Sequence, residues 1–312
     1  MIQQRAIPGR AAAGGPPLAV CGENALGANQ KRESGNSTEI QEEPLRSPAF
    51  ELATLSDPGT DRPDNEDSCG TFVEGPESAV FAVADGVGGY EGGEVASAMA
   101  IEITLRAYRE SPREWGPAKR LHRAFQNANI EIHNRALAVP ELRRMATTLT
   151  AVAIERGSLS AAHAGDCRLY LVRGGAITQI TKDHTVVAER VRMGLMSEAR
   201  ARTHPERSAL LRSVGRDLIV SVDRIAMALR RNDTLVLCSD GLHNVLMERE
   251  IAQMVRGTAA VEACRTLVDT ANRRGTADNL TVAVFRMLSD PPEAPAPAGW
   301  RERLKHLFSR RG

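Results

Sequence analysis

Four acidic motifs punctuate the sequence. Asp85-Gly86 and Asp240-Gly241 each follow a short apolar run, and Asp278-Asn279 precedes one. A fourth group, Asn65-Glu66-Asp67, comes after a Gly/Pro-containing turn. Each puts a carboxylate at one end of a strand-like segment, where a rigid scaffold presents side chains to a cleft. Carboxylates with few histidines or thiols beside them suit hard cations such as Mg²⁺ or Mn²⁺. Several acids brought together repel one another unless a divalent metal neutralises them. A lone Asp-Gly is ordinarily a turn. On residue types alone, a metal cluster and a set of turns both stay open.

The elements that must position these acids follow from the apolar pattern. FELATLSD (50–57) alternates and then meets a turn. SAVFAVAD (78–85) and TLVLCSD (234–240) are nearly continuous apolar runs, as strands buried on both faces require. Helical spacing runs over 93–109 and from Lys119 to Leu137, and again at about 248–256 and 259–273. Residues 147–181 read as strand, turn, strand, turn, strand, with Arg156-Gly157 and Gly174-Gly175 as hairpin loops. NLTVAVFRM (279–287) is the last strand. Strands in hairpins, with helices inserted between groups, predict an α+β sandwich rather than a parallel doubly wound sheet.

Composition narrows the function. The 312 residues carry 40 Lys+Arg against 39 Asp+Glu, a net charge of +1. A nucleic-acid-binding domain ordinarily shows a basic surplus, so nucleic acid is excluded as a partner. Five scattered cysteines, an odd number without a C-x-x-C pair, fit neither a disulfide framework nor a zinc site. Reduced thiols in the cytoplasm are the expectation. Residues 1–48, rich in Gly, Pro, Ala and Ser, are expected to be a disordered N-terminal extension. Residues 289–299 read as a Pro/Ala linker, and 300–312 as a basic amphipathic tail helix. Its apolar face is Trp300, Leu304, Leu307 and Phe308. Such a helix docks on its own domain, or makes a weak partner or membrane contact.

The motifs, taken together and in order over 49–288, resemble those of the metal-dependent protein phosphatases, the type 2C serine/threonine phosphatases, in their bacterial form. They are GTDRPDNEDS (59–68), FAVADGVGGYEGGEVAS (81–97), ATTLTAV (146–152), AGDCRLYLVRGG (164–175), ITQITKDHT (177–185), THPERSALLRSVG (203–215), LCSDGL (237–242) and ADNLTV (277–282). The resemblance implies a four-layer αββα sandwich with two central antiparallel sheets. A binuclear metal centre would lie in the cleft at one end. Asp85 would bridge two Mn²⁺ or Mg²⁺ ions, the Gly86 carbonyl would bind one, and Asp240 and Asp278 would hold the second. Glu66 and Asp67 would bind or orient metal-bound water, with Asp67 orienting or deprotonating the attacking water. Arg62 would grip the phosphate, since a guanidinium can bind two phosphoryl oxygens at once. Asp166 would hold a third ion near a flap at about 186–214, which Ser208 would approach. The implied activity is hydrolysis of phosphoserine and phosphothreonine by direct attack of a metal-bridging water, in a monomer that reverses a cognate bacterial Ser/Thr kinase.

Some positions depart from the family pattern. Tyr90 stands where a histidine general acid is usual, which leaves three readings: Tyr90 donates the proton, a metal-bound water does so, or catalysis is slower. Cys167 replaces a serine and reads as a small buried hydrophobe. His243 and Asn244 replace a hydroxyl and an Asp, and His243 reads as a surface residue at a helix start. His163, His184 and His204 are expected to serve hydrogen bonding.

Overall fold

A computed structural model describes residues 19–21, 39–40, 45–87 and 92–291. Three short strands come first: β1 (Ala19–Cys21), β2 (Glu39–Ile40) and β3 (Leu45–Arg46). Long strands β4 (Phe50–Asp57), β5 (Asp67–Gly75) and β6 (Ser78–Val87) follow, then helices α1 (Gly92–Glu110) and α2 (Pro117–Ala138). Next are β7 (Ala146–Thr147), β8 (Leu149–Glu155), β9 (Ser158–Ala164), β10 (Arg168–Arg173) and β11 (Ala176–Gln179). Two short helices, α3 (Val186–Arg192) and α4 (Glu198–Arg202), precede β12 (Asp223–Ala228). The order then runs β13 (Thr234–Cys238), α5 (Asp240–His243), α6 (Glu248–Val255), α7 (Ala260–Arg273) and β14 (Leu280–Met287).

The strands form two antiparallel sheets. The first runs β1-β5-β6-β8-β9-β12, with β7 on β6; the second runs β11-β10-β13-β14-β4-β2, with β3 on β4. Their residue pattern explains the layering. Along β6, Ala79, Phe81 and Val83 face the second sheet, while Val80, Ala82 and Ala84 face α1 and α2. β13 repeats this, with Leu235 and Leu237 between the sheets and Val236 and Cys238 under α6 and α7. A strand buried on both faces has no polar side to alternate with, hence the continuous apolar runs. Three cores therefore separate four layers, α, β, β and α, as expected. Phe81 and Phe50 both stack on Phe285 in the central core, at centroid distances of 6.0 and 5.3 Å. Truncating such a ring costs roughly 3–5 kcal/mol.

Helix α2 buries Leu121, Ala124, Phe125, Ala128, Ile132 and Ala136, a stripe at helical spacing. It starts on Pro117, whose missing N–H is no loss there, and stops before Pro140. Both hairpin turns have positive φ at their two central residues: Arg156 (49°) with Gly157 (71°), and Gly174 (58°) with Gly175 (86°).

Three corrections follow. Residues 158–173, read as one strand, break at Gly165–Cys167, where the chain leaves the first sheet and enters the second. Gly165 has φ of +120°, and a Cβ there would meet the Thr148 Cβ at 2.4 Å. Strands β1, β2 and β3 fall inside 1–48, expected to be disordered; they pair with β5 and β4. A sheet edge offers main-chain partners whatever the side chains, so polar composition does not forbid such pairing. Helix α5 spans Asp240–His243, so His243 ends this short helix rather than starting one. The rest of 1–48, residues 292–299 and the 300–312 tail lie outside the described residues. Among the described residues, no helix is long and apolar enough to cross a membrane.

Candidate metal centre

Antiparallel pairing brings the acids to one end. β5 begins where β6 ends, and Asp67 is the direct cross-strand partner of Asp85. On the second sheet β13 ends where β14 begins, with Cys238 opposite Val282, so Asp240 and Asp278 flank the same edge. The start of β10 joins them, with Arg168 opposite Cys238, which puts Asp166 at the corner between the sheets. The strands are rigid and hydrogen-bonded to their ends, so the carboxylates have little freedom to move apart.

Each acid has its own support. The Ser239 hydroxyl donates to Asp67 Oδ2 at 2.6 Å, and the Asn65 side chain accepts from the Asp67 N–H at 3.1 Å. Asp67 is almost fully buried, and its Oδ1 has no partner. The Asp85 N–H donates to Thr148 Oγ1 at 2.9 Å, and the Asp85 carbonyl accepts from Thr147 Oγ1 and Thr148 N–H, each at 2.8 Å. Asn244 Nδ2 donates to Asp240 Oδ2 at 3.1 Å. Gly86 N–H donates to the Glu66 carbonyl at 3.1 Å. A Cβ on Gly86 would come within 2.4 Å of the Gly93 carbonyl, so only glycine fits there. The half-exposed Arg62 guanidinium lies 3.0 Å from Asp278 Oδ1.

The electrostatics are those of acids crowded without compensation. Burial, reinforced by Asp67, Asp240, Asp166 and Asp278, holds Asp85 well above the carboxylate range; its exposed area is intermediate, but it is densely surrounded. Burial raises Asp67 to about 7 against the pull of the Ser239 and Thr281 hydroxyls. Burial and then Asp278 raise Asp240 to about 6. Asp166 is pushed well up by burial and then by Asp240, and Glu66 is raised by burial against the pull of Arg62.

These residues fit divalent cations. The donors are oxygens only, as hard ions prefer, and the buried, unpartnered Asp67 Oδ1 is an acceptor that a cation would satisfy. Among the described residues, no three Asp, Glu, His or Cys side chains stand close enough together to cage an ion as they are. The fit therefore rests on donor chemistry, burial and shared placement.

Glu66, Asp67, Asp85, Gly86, Asp166, Asp240 and Asp278 gather at this end, with Arg62 against Asp278; Tyr90 lies outside the described residues. Ser208 is exposed within the flap segment. That segment, containing α3 and α4, is pinned by bridges from Thr185 to Leu210 and from Thr147 to Val214. Cys167 is fully buried, 3.1 Å from Thr148 Oγ1, and burial pushes its thiol well up, as a small buried hydrophobe behaves. His243 is half-buried rather than fully on the surface. Its Nε2 lies 3.1 Å from the Asp166 carbonyl, and burial pushes its ring down to about 3. His163 bridges Thr150 Oγ1 and the Lys182 carbonyl, His184 accepts from Gly165 N–H, and His204 accepts from Glu206 N–H. Ser239, Asn244, Asn279, Thr147 and Thr148 were not singled out as site supports. The only signal for them was adjacency to Asp-Gly, Asp-Asn and Thr-Thr.

Residues 61–282 match the family described as Protein phosphatase 2C. The chain is 34% identical over 236 residues to the serine/threonine phosphatase stp of Listeria innocua, covering 73% of this chain and 92% of that one. It is 35% identical over 232 residues to the serine/threonine protein phosphatase PstP of Mycobacterium tuberculosis, covering 74% and 44%. The crystal structure of the M. tuberculosis serine/threonine phosphatase PstP/Ppp superposes with a TM-score of 0.70 at 33% identity, over 77% of this chain and 99% of that one. The catalytic domain of PstP in complex with two manganese ions gives 0.69 at 32%, over the same shares.

Proposed function

The chain belongs to the protein phosphatase 2C family, and we propose that its metal-dependent serine/threonine phosphatase activity resides in the carboxylate cluster at the end of the sandwich. The observation that carries this placement is the buried Asp67–Asp85 pair, with Asp240 contributed from the other sheet and one Asp67 oxygen unsatisfied. Asp85, the Gly86 carbonyl, Asp240, Asp278, Glu66 and Asp67 would hold two Mn²⁺ or Mg²⁺ ions, and Asp166 would serve a third. Bound there, such ions lower the pKa of water and neutralise phosphoryl oxygens.

The protein's own groups orient the reactants. Ser239 pins Asp67 Oδ2, which leaves Oδ1 as the oxygen that can orient the attacking water. Arg62 is half-exposed at the rim, where a guanidinium reaches a phosphoryl group on a protein surface. Tyr90 is proposed as a proton donor to the leaving alkoxide. The substrates are phosphoproteins. Reversal of a cognate Ser/Thr kinase, a cytoplasmic setting, a monomeric state, a catalytic unit at 49–288 and a docking role for the 300–312 tail complete the reading.

Hydrolysis of a phosphothreonine peptide with and without Mn²⁺ tests it, comparing wild type with Asp240→Asn. Metal-dependent turnover is expected in the wild type, with a large loss in the variant. Turnover indifferent to Mn²⁺, or a fully active variant, would overturn the assignment.

A further inference from the structure

Asn279 follows Asp278 at the start of β14, and its buried side chain makes three hydrogen bonds to a single loop. Nδ2 donates to the Pro58 carbonyl at 2.9 Å and to the Asp64 carbonyl at 2.8 Å, and Oδ1 accepts from Glu66 N–H at 2.8 Å. This loop leaves the second sheet at Asp57 and enters the first at Asp67, so it straps the end of the sandwich. It carries both Arg62 and Glu66. The bonding continues across the mouth, because the Glu66 carbonyl accepts from Gly86 N–H at 3.1 Å. One side chain thus ties the edge that bears Asp278 to the turn that bears Asp85 and Gly86. Thr60 is tied to the Thr276 carbonyl and Asn65 to Ser56 Oγ, but neither holds the Glu66 backbone.

We propose that Asn279 is a positioning residue: its amide fixes the 58–66 loop, and so sets the phosphate grip of Arg62 and the metal-site geometry at Glu66 together. The proposal rests on the reading of this cluster as the metal-dependent active site. The amide itself is required. An aspartate of the same shape would turn an oxygen toward the Pro58 and Asp64 carbonyls, replacing two hydrogen bonds by repulsion. Residues that hold metal ligands in place typically cost 10–100-fold in metal affinity or activity when replaced.

Full-length Asn279→Ala and Asn279→Asp test this, with Mn²⁺ titrated calorimetrically into metal-stripped protein and kinetics measured on a phosphothreonine peptide. Both variants are expected to bind Mn²⁺ roughly 10-fold or more weakly and to raise KM more than they lower kcat. A purely structural defect would lower the active fraction and leave KM alone. Adding Asn279→Ala to Arg62→Ala is expected to raise KM by less than the product of the two single effects, since one of the groups it positions is gone. Wild-type Mn²⁺ affinity in both variants, or KM effects that simply multiply, would overturn the proposal. Should the variants not fold, hydrogen exchange on the wild type decides. Slow exchange at the Glu66 amide supports the clamp, and exchange at the rate of an open loop refutes it. A wild type that binds no Mn²⁺ would instead remove the active-site reading, and this proposal with it.

Discussion

The Ser239 hydroxyl stands where the two sheets meet the acids. It donates to Asp67 Oδ2 and accepts from Thr281 N–H at 2.9 Å. Ser239→Ala would leave Asp67 Oδ2 without that donor and the Thr281 N–H without that acceptor, both in a buried setting. Losing such partners costs about 1–3 kcal/mol. Denaturant titration of metal-stripped Ser239→Ala should show that loss, and Mn²⁺ should restore part of it. An unchanged midpoint would mean that the hydroxyl does not hold Asp67. At this scale the acids were legible in the sequence, because Asp-Gly after an unbroken apolar run is a conspicuous pattern. Ser239, Asn244 and Asn279 were not, because small polar residues are as common in ordinary turns. Only the fold shows that these amides and hydroxyls bond to the acids and their loop.

Among the elements, the β9–β10 corner carries the most. It turns the chain from one sheet to the other at Gly165, and it was read as uninterrupted strand because its residues keep the apolar character of both neighbours. β6, β13 and β14 were legible for the opposite reason, as each stays in one sheet along its length. At the end of β9, His163 stacks on His184 at the root of the flap, with ring centroids 4.8 Å apart. Burial, and then the neighbouring His184, lower His163 from 6.5 to about 4. The native state therefore binds fewer protons than the unfolded chain between those values. Its contribution to stability is complete above pH 6.5 and is lost as the pH falls towards 4. At 1.36 kcal/mol per pH unit, the loss amounts to about 2 kcal/mol by pH 5. His163→Gln keeps polar atoms for Thr150 and Lys182 and cannot titrate. Urea midpoints in EDTA at pH 7.5 and pH 5 should therefore converge in the variant by about that amount; an unaltered pH dependence would refute the assignment.

For the molecule as a whole, the net charge of +1 conceals a local imbalance. Three apolar cores stabilise the sandwich, while its open end holds Asp67, Asp85, Asp166 and Asp240 in surroundings that disfavour their charge. An arrangement that destabilises the unliganded fold persists where a ligand that binds only the folded state offsets it. Two consequences follow. Saturating Mn²⁺ should stabilise the protein by about 2.7 kcal/mol at 100 times its Kd, seen as a higher melting temperature than in EDTA. Asp67→Asn should also stabilise the fold, but only without metal. By removing one buried charge from the face opposite Asp85, it should make the EDTA-treated protein more stable than wild type by about 1–2 kcal/mol, while weakening Mn²⁺ binding and lowering turnover. Paired melting curves with and without metal check both. If Asp67→Asn were destabilising in EDTA and Mn²⁺ still raised its melting temperature as much as in wild type, the cluster would be a structural network rather than a metal site. The predicted crossover, with the variant ahead without metal and behind with it, ties the stability of the fold to the chemistry at its open end.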